Sequence, residues 1–79
     1  MAMSDVTRAF SKALGAKGSC TSSAMTYEPD PQTGRRTLNR LSFYVATGKR
    51  GHVLVTETFP ASADPVTKAR EMGEAFQGD

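Results

Sequence analysis

Two alternating stretches on either side of the segment "GKRG" constrain the fold most. Before this segment apolar residues occupy every second position, at Leu41, Phe43 and Val45, and after it the same spacing recurs at Val53 and Val55. A period of two is typical of a strand with one buried face, and a short glycine-containing segment between two such runs favours a β-hairpin. The two runs are therefore predicted to form antiparallel strands.

The length of the turn between these runs decides which side chains share a face. A one-residue slip in strand pairing moves every side chain of one strand to the opposite face. A two-residue turn at Lys49 and Arg50 divides the apolar residues between both faces. A three-residue turn that adds Gly51 pairs Val45 with Val55 and keeps the apolar set together, and glycine suits the left-handed conformation that such a turn requires. The longer turn is therefore the prediction.

The same register has a consequence for the acidic residue of the second run. Leu41 then pairs with Phe59, and Glu57 falls opposite Phe43 on the core side. Burying an unpaired carboxylate is costly, so Glu57 must lie near the sheet edge or be turned outward by a bulge. The sequence leaves both alternatives open.

Helical patterns flank the strands. The first begins near the candidate N-cap Ser4 and stops at Gly15, and the second has Ser62 or Asp64 as its candidate cap and is modestly weakened by Gly73. The apolar stripe of the first consists of Val6, Ala9, Phe10, Ala13 and Leu14. That of the second consists of Val66, Ala69, Met72 and Phe76. Both patterns predict amphipathic helices that bury one side.

A third strand is predicted at residues 24–28, with Met25 and Tyr27 on one face. The preceding segment "GAKGSCTSS", residues 15–23, is rich in small residues and favours a loop. The following "PDPQTG" marks a turn, and pairing is expected to resume near Thr37.

These elements define an α+β fold of order α-β-β-β-α, in which two helices pack on one face of a three-stranded antiparallel sheet. The 79 residues, 1–79, are expected to form a single small domain, because the chain has too few apolar residues for two cores. The second sheet face is predicted to stay open. It carries Tyr44, Leu54, Thr56 and Thr58.

The composition narrows the classes of site and compartment. One cysteine, Cys20, excludes an internal disulfide, and with a single histidine, His52, the chain lacks the ligands of a structural zinc site. No metal or other cofactor is expected. The lone thiol, the lack of an apolar run near 18 residues and the lack of a signal-peptide pattern in residues 1–15 favour a cytosolic protein without membrane contact.

Positive charge is concentrated in the middle of the chain. The region between Asp30 and Glu57 holds five cations and no acid, whereas residues 57–79 hold five acids and two cations. Strand alternation is expected to put Arg36, Arg40 and Tyr44 on one side and Arg35 on the other. Because a strand rather than a helix follows "GKRG", this turn lacks the pattern of a phosphate-binding loop. The predicted partner-binding residues are Arg35, Arg36, Arg40, Tyr44, Lys49 and Arg50.

A catalytic site is not expected. Cys20 and His52 are the one pairing of a nucleophile with a base, but no third residue that would orient them is evident. Glu71 and Glu74 are explained better as the solvated side of the last helix.

The order α-β-β-β-α resembles that of double-stranded RNA-binding domains over most of the chain. This family has a basic cluster at the start of its last helix, where the present chain has "SADPVTKAR", and a histidine in the loop between the first strands, where it has "PDPQTGRR". The resemblance implies phosphate contacts at Arg35, Arg36, Lys68 and Arg70.

The hairpin "SFYVATGKRGHVLV" followed by "DPVTKAREMGEAF" is similar to small phage-encoded inhibitors such as anti-CRISPR proteins. That resemblance implies a non-enzymatic protein that occupies a surface of a larger protein or nucleoprotein complex.

Two functions from different classes follow. The first is a small binding protein, in its narrowest form a phage or mobile-element inhibitor, that uses the basic hairpin and the open sheet face. The alternative is a nucleic-acid-binding module that contacts phosphates through the basic hairpin. An uncovered sheet face or edge also allows a homo-oligomer.

Overall fold

The computed structural model describes residues 2–78. The elements in chain order are α1 (Met3–Leu14), a short 3-10 turn (Gly15–Lys17), β1 (Ser19–Glu28), β2 (Leu38–Thr47), β3 (Gly51–Pro60) and α2 (Pro65–Ala75). The strands form one antiparallel sheet in the order β1-β2-β3, so β2 is central and β1 and β3 are edges. The predicted α+β architecture is confirmed. Among these residues no helix has the length and apolarity needed to cross a membrane.

The core lies between the helices and one face of β2. Leu41, Phe43 and Val45 alternate along this strand and are fully buried. Phe10 of α1 stacks on Phe43 with ring centroids 3.9 Å apart and planes within 1° of parallel. Contact between the two helices is also close, because a Cβ at Gly73 of α2 would lie only 2.7 Å from the carbonyl oxygen of Phe10. The predicted apolar stripes therefore meet in one core.

The two helices differ in their N-caps, because only α2 is capped by a side chain. The Asp64 carboxylate accepts hydrogen bonds from the backbone N–H groups of Val66 and Thr67, so of the two candidate caps of α2 Asp64 is the one used. The Thr67 hydroxyl donates to the same carboxylate, and these bonds lower the pKa of Asp64. The prediction for α1 was wrong. Its N-cap is Ala2, and Ser4 lies inside the first turn because the N–H of Asp5 already bonds the Ala2 carbonyl.

The turn between β2 and β3 has the predicted three residues but begins one residue earlier, at Gly48, and ends at Arg50. The Thr47 hydroxyl determines this position, since its oxygen accepts the N–H of Arg50 at 2.8 Å and its proton goes to the carbonyl of Gly51 at 3.1 Å. Gly51, now the first residue after the turn, has φ +68°, the left-handed conformation that was predicted for it.

The pairing of β2 with β3 consequently differs from the prediction by two residues. Val45 lies opposite Val53 instead of Val55, and Phe43 lies opposite Val55. A shift of two preserves the face of every side chain, which is why the predicted core and open faces are both right despite the wrong pairs.

Glu57 lies opposite Leu41 on the edge strand β3. Its carboxylate is half exposed and is 3.4 Å from the ammonium of Lys68 on α2. Of the two alternatives that the sequence left open, the sheet edge is correct. The ion pair also joins this edge strand to the helix layer.

Strand β1 is twice as long as predicted. Residues 19–23, expected to be loop, pair with the second half of β2, with Thr21 as the extra residue of a β-bulge. Gly18 explains how the strand enters the sheet, because a Cβ there would lie 2.7 Å from a methyl of Val45. Gly18 therefore marks a close approach of the chain to β2, and the small residues after it are strand residues rather than a loop.

Asn39 is the one buried polar side chain of the described core, 3% exposed, and its Oδ1 has no hydrogen-bond partner there. An unsatisfied buried amide is costly, whereas an apolar side chain of similar shape carries no such penalty. We expect Asn39→Leu to raise the free energy of unfolding by about 1 kcal/mol, measured by urea denaturation. A loss of stability would show that the amide has a partner in solution.

Candidate functional site

The sheet face away from the helices is uncovered and is called the open face here. Its side chains come from alternate positions of all three strands, so directly opposite residues form rows across the sheet. It consists of Ser19, Ser22, Ala24, Thr26, Glu28, Leu38, Arg40, Ser42, Tyr44, Ala46, His52, Leu54, Thr56, Thr58 and Pro60.

The centre of one row is apolar. Tyr44 and Leu54 are direct cross-strand partners, and they remain 47% and 52% exposed. Directly opposite side chains on one face lie within contact distance of each other. The neighbouring row is small and polar, with the Thr56 hydroxyl donating to that of Ser42 at 3.3 Å. The open face therefore combines an aromatic-aliphatic centre with hydroxyl-bearing surroundings.

The charged side chains Arg40 and Glu28 of the open face pair with each other. The Arg40 guanidinium lies 3.4 Å from a Glu28 carboxylate oxygen, and the Thr26 hydroxyl donates to the other oxygen of Glu28 at 2.9 Å. Both members of the ion pair are partly exposed, so a partner can still reach them. Arg40 does lie on the face of Tyr44, as strand alternation predicts.

The two cations of the β2–β3 turn do not project together. Lys49 is exposed at the tip of the turn. Arg50 instead lies over the ring of Phe76, 5.7 Å from its centroid, and donates to the backbone carbonyl of Gln77. Lys49 and Arg50 were both predicted to bind a partner, but the Arg50 side chain holds the turn against the segment after α2.

Lys17 has a similar structural role that the sequence did not reveal. Its ammonium donates to the carbonyls of Gly73 and Glu74 at 2.8 and 3.1 Å. These carbonyls belong to the last turn of α2, where a cation interacts favourably with the negative end of the helix dipole.

Arg35 and Arg36 lie in the connection between β1 and β2 rather than on a strand. The connection is closed by hydrogen bonds from the N–H of Asp30 to the carbonyl of Arg35 and from the N–H of Gly34 to the carbonyl of Asp30, at 2.7 and 2.8 Å. Because β2 begins only at Leu38, the predicted alternation of these arginines with Arg40 is wrong. Both arginines are exposed at this end of the sheet.

The six predicted partner-binding residues therefore occupy three places. Arg40 and Tyr44 lie on the open face, the two loop arginines lie beyond one end of it, and the turn lies beyond the other. The two ends are about 30 Å apart along the ten residues of β2. Leu54 was predicted to lie on this face but was not among the predicted partner-binding residues. Its role becomes visible only from the observed register, which pairs it with Tyr44.

Cys20 and His52 are not brought together. Cys20 pairs with Val45 on the helix side of β1, whereas His52 pairs with Ala46 on the opposite face of β3. Partial burial raises the pKa of the Cys20 thiol, which disfavours the thiolate that a nucleophile needs. Within residues 2–78 no three His, Cys, Asp or Glu side chains are grouped to hold a metal ion.

Comparison with known proteins returned no matching family model, curated protein or solved structure. The fold class is therefore established by the structure alone, and the open face is the basis for the proposed function.

Proposed function

We propose that this protein is a small non-enzymatic binding module whose open face covers part of a larger protein or nucleoprotein complex. The observation that carries the proposal is the exposed pair of Tyr44 and Leu54, which occupy two adjacent positions of one row of that face. Protein interfaces concentrate binding energy in a few central aromatic and apolar side chains with polar surroundings.

The dimensions of the sheet indicate which other residues take part. Three strands of ten residues span about 33 Å by about 14 Å, or about 450 Å². A stable interface uses about 800 Å² on each partner. A partner held by this face therefore also contacts its two ends, where Lys49, Arg35 and Arg36 favour acidic groups.

Capture from a host lysate tests the proposal. The immobilised protein is compared with Tyr44→Ala and Leu54→Ala by quantitative mass spectrometry of what each retains. We expect either substitution to reduce the retained partner at least about tenfold, since central side chains of an interface dominate its affinity. Lys12→Ala is the control, because it removes an exposed side chain from α1, away from the open face. Equal capture by all three variants would exclude the open face as the binding site.

Direct binding of nucleic acid is the second candidate, favoured by one arrangement. Tyr44 and Arg40 share the open face, so that a base can stack on the ring while a phosphate meets the guanidinium. Fluorescence anisotropy with single-stranded and duplex oligonucleotides at low salt separates it from the first. Binding that Tyr44→Ala abolishes supports it, with a shallow salt dependence from the few cations involved. No binding at low salt removes it.

The narrower form of the proposal, an inhibitor of phage or mobile-element origin that acts in the cytosol, depends on what the partner is. Its prediction is that the captured protein loses activity when the open face is occupied. Tyr44→Ala added at the same concentration is expected to leave that activity in place. If Tyr44→Ala inhibited the captured protein as strongly as the unmodified protein does, the inhibition would not depend on the open face.

A further inference from the structure

The two edges of the sheet differ in how they are protected against pairing with another chain. An exposed edge strand is normally guarded by charge, proline, a bulge or a covering element. β3 has Pro60 at its end and the ion pair of Glu57 with Lys68 beside it. β1 has the bulge at Thr21 near one end and Glu28 at the other, but from Ser22 to Tyr27 it has no charged residue, no proline and no bulge.

We propose that β1 is a self-association edge, at which a second copy of this chain adds its own β1 in antiparallel orientation. The two-fold axis passes at Met25 and produces one continuous six-stranded sheet with all four helices on the same side. A second copy is the occupant because the strand is complementary to itself in this one register.

Charge and side-chain size determine that register. With Met25 opposite its own copy, each Glu28 faces a serine, Ser22, and the two carboxylates lie about 20 Å apart. The same pairing sets Tyr27, 60% exposed on the helix side, against Ser23, whose small side chain leaves room for the ring. Moving the two-fold axis to Ala24 would set Tyr27 against Thr21 in the bulge, and moving it to Thr26 would set Tyr27 against Met25, whose side chain is larger than that of Ser23.

Helix α1 permits the approach of the second copy. The hydroxyls of Thr7 and Ser23 share a hydrogen bond of 2.7 Å, which places this side of α1 above β1. Ser4 and Ser11 lie on the same side of the helix, at a spacing of three and four residues from Thr7, and both are exposed. Short side chains here let a second α1 lie alongside without displacing either helix.

The size of the contact indicates a weak dimer. The paired stretch from Ser22 to Glu28 is about 23 Å long by strand geometry, and the molecule is 18 Å across its shortest dimension. The footprint is thus about 400 Å² on each copy, half of a standard interface. Association should therefore depend on concentration and be complete only at high concentration.

Sedimentation velocity across a dilution series tests the edge. The average mass is expected to rise from 8.5 kDa towards twice that value as concentration increases. Tyr27→Lys should remain a monomer, because it removes the packing ring and adds a charge to the edge. Thr56→Lys, the same charge on the other edge strand, should associate as the unmodified protein does. A mass of 8.5 kDa at millimolar concentration, or equal association of both variants, overturns the proposal.

Disulfide trapping tests the register without requiring Tyr27→Lys to fold. In a Cys20→Ser background, oxygen oxidises two Met25→Cys chains to a disulfide with loss of both thiol protons. Opposite residues lie close enough for this bond, whereas Ser23→Cys residues would be about 13 Å apart in the proposed register. We expect cross-linking at position 25 to be at least tenfold faster. Equal rates at the two positions would rule out the two-fold axis at Met25.

Discussion

Phe43→Ala is expected to remove a large part of the stability of this protein. The side chain is fully buried on the central strand and stacks on Phe10 with ring centroids 3.9 Å apart. Truncating such a ring costs about 3–5 kcal/mol, because the apolar contacts are lost and the space closes only in part. A domain of 79 residues has a total free energy of unfolding of about 4–12 kcal/mol. Urea denaturation followed by circular dichroism measures the loss.

The next residue supplies the control. Tyr44 belongs to the same strand but points to the open face and is 47% exposed. Tyr44→Ala should cost less than about 1 kcal/mol, which is the range of one cross-strand pair. Similar losses for the two variants would mean that the faces of β2 are assigned wrongly. If Tyr44→Ala is as stable as expected, its effect on partner capture cannot come from unfolding.

The faces of the hairpin could be predicted from the sequence because side-chain direction depends only on whether a position is odd or even. Leu41, Phe43 and Val45 point to the helices in the predicted register and in the observed one, which differ by two residues. The exact pairs could not be predicted, since they depend on the Thr47 hydroxyl that holds the turn one residue earlier. Face assignment is therefore more robust than register.

The length of β1 was missed for a different reason. Serine, threonine and glycine are common in loops, and this bias outweighed any strand signal in residues 15–23. In the structure Gly18 is needed where the backbone passes Val45, and the serines pair with β2 as ordinary strand residues. Composition alone does not distinguish close packing from a loop.

Only part of the candidate site could be found from the sequence. Tyr44 and Arg40 follow from alternation, which is a local property of β2. The positions of Lys17 and Arg50 depend on contacts with the last turn of α2 and the residues after it, far away along the chain. Arg50 was predicted to bind a partner and Lys17 was given no role, whereas in the structure both donate to backbone carbonyls at the end of the chain.

Stability and the proposed binding thus depend on opposite faces of one sheet. The helix side of β2 is fully buried from Leu41 to Val45, whereas the open face has no apolar side chain packed into the core. Substitutions on the open face can therefore change affinity without changing the fold. This separation also makes the edge of β1 testable by itself, since Tyr27 lies outside the buried core.

Gly73→Ala tests a case in which helix propensity and packing predict opposite signs. In α2 alanine is favoured over glycine by about 1 kcal/mol, so propensity predicts a gain in stability. Packing predicts a loss, because the new Cβ would lie 2.7 Å from the Phe10 carbonyl oxygen and 2.8 Å from the Ala13 Cβ. Backbone atoms of α1 cannot yield as a flexible side chain does, so the helices must separate over the stacked rings. We expect a net loss of about 1–3 kcal/mol, within the range for overpacked cores.

Gly48→Ala is the matched control for Gly73→Ala, because nothing lies within 4 Å of a Cβ at Gly48 and its φ is not positive. It should leave stability unchanged or raise it by up to about 1 kcal/mol, since alanine restricts the unfolded chain. The free energy of unfolding of both variants is measured by urea denaturation, and we expect both to show the same dependence on urea concentration. A gain in both would mean that α1 and α2 are farther apart in solution than in this structure, and the buried Phe10 would then be more exposed as well. A loss confined to Gly73→Ala identifies the glycine as the residue that lets the two helices cover one face and leave the other free.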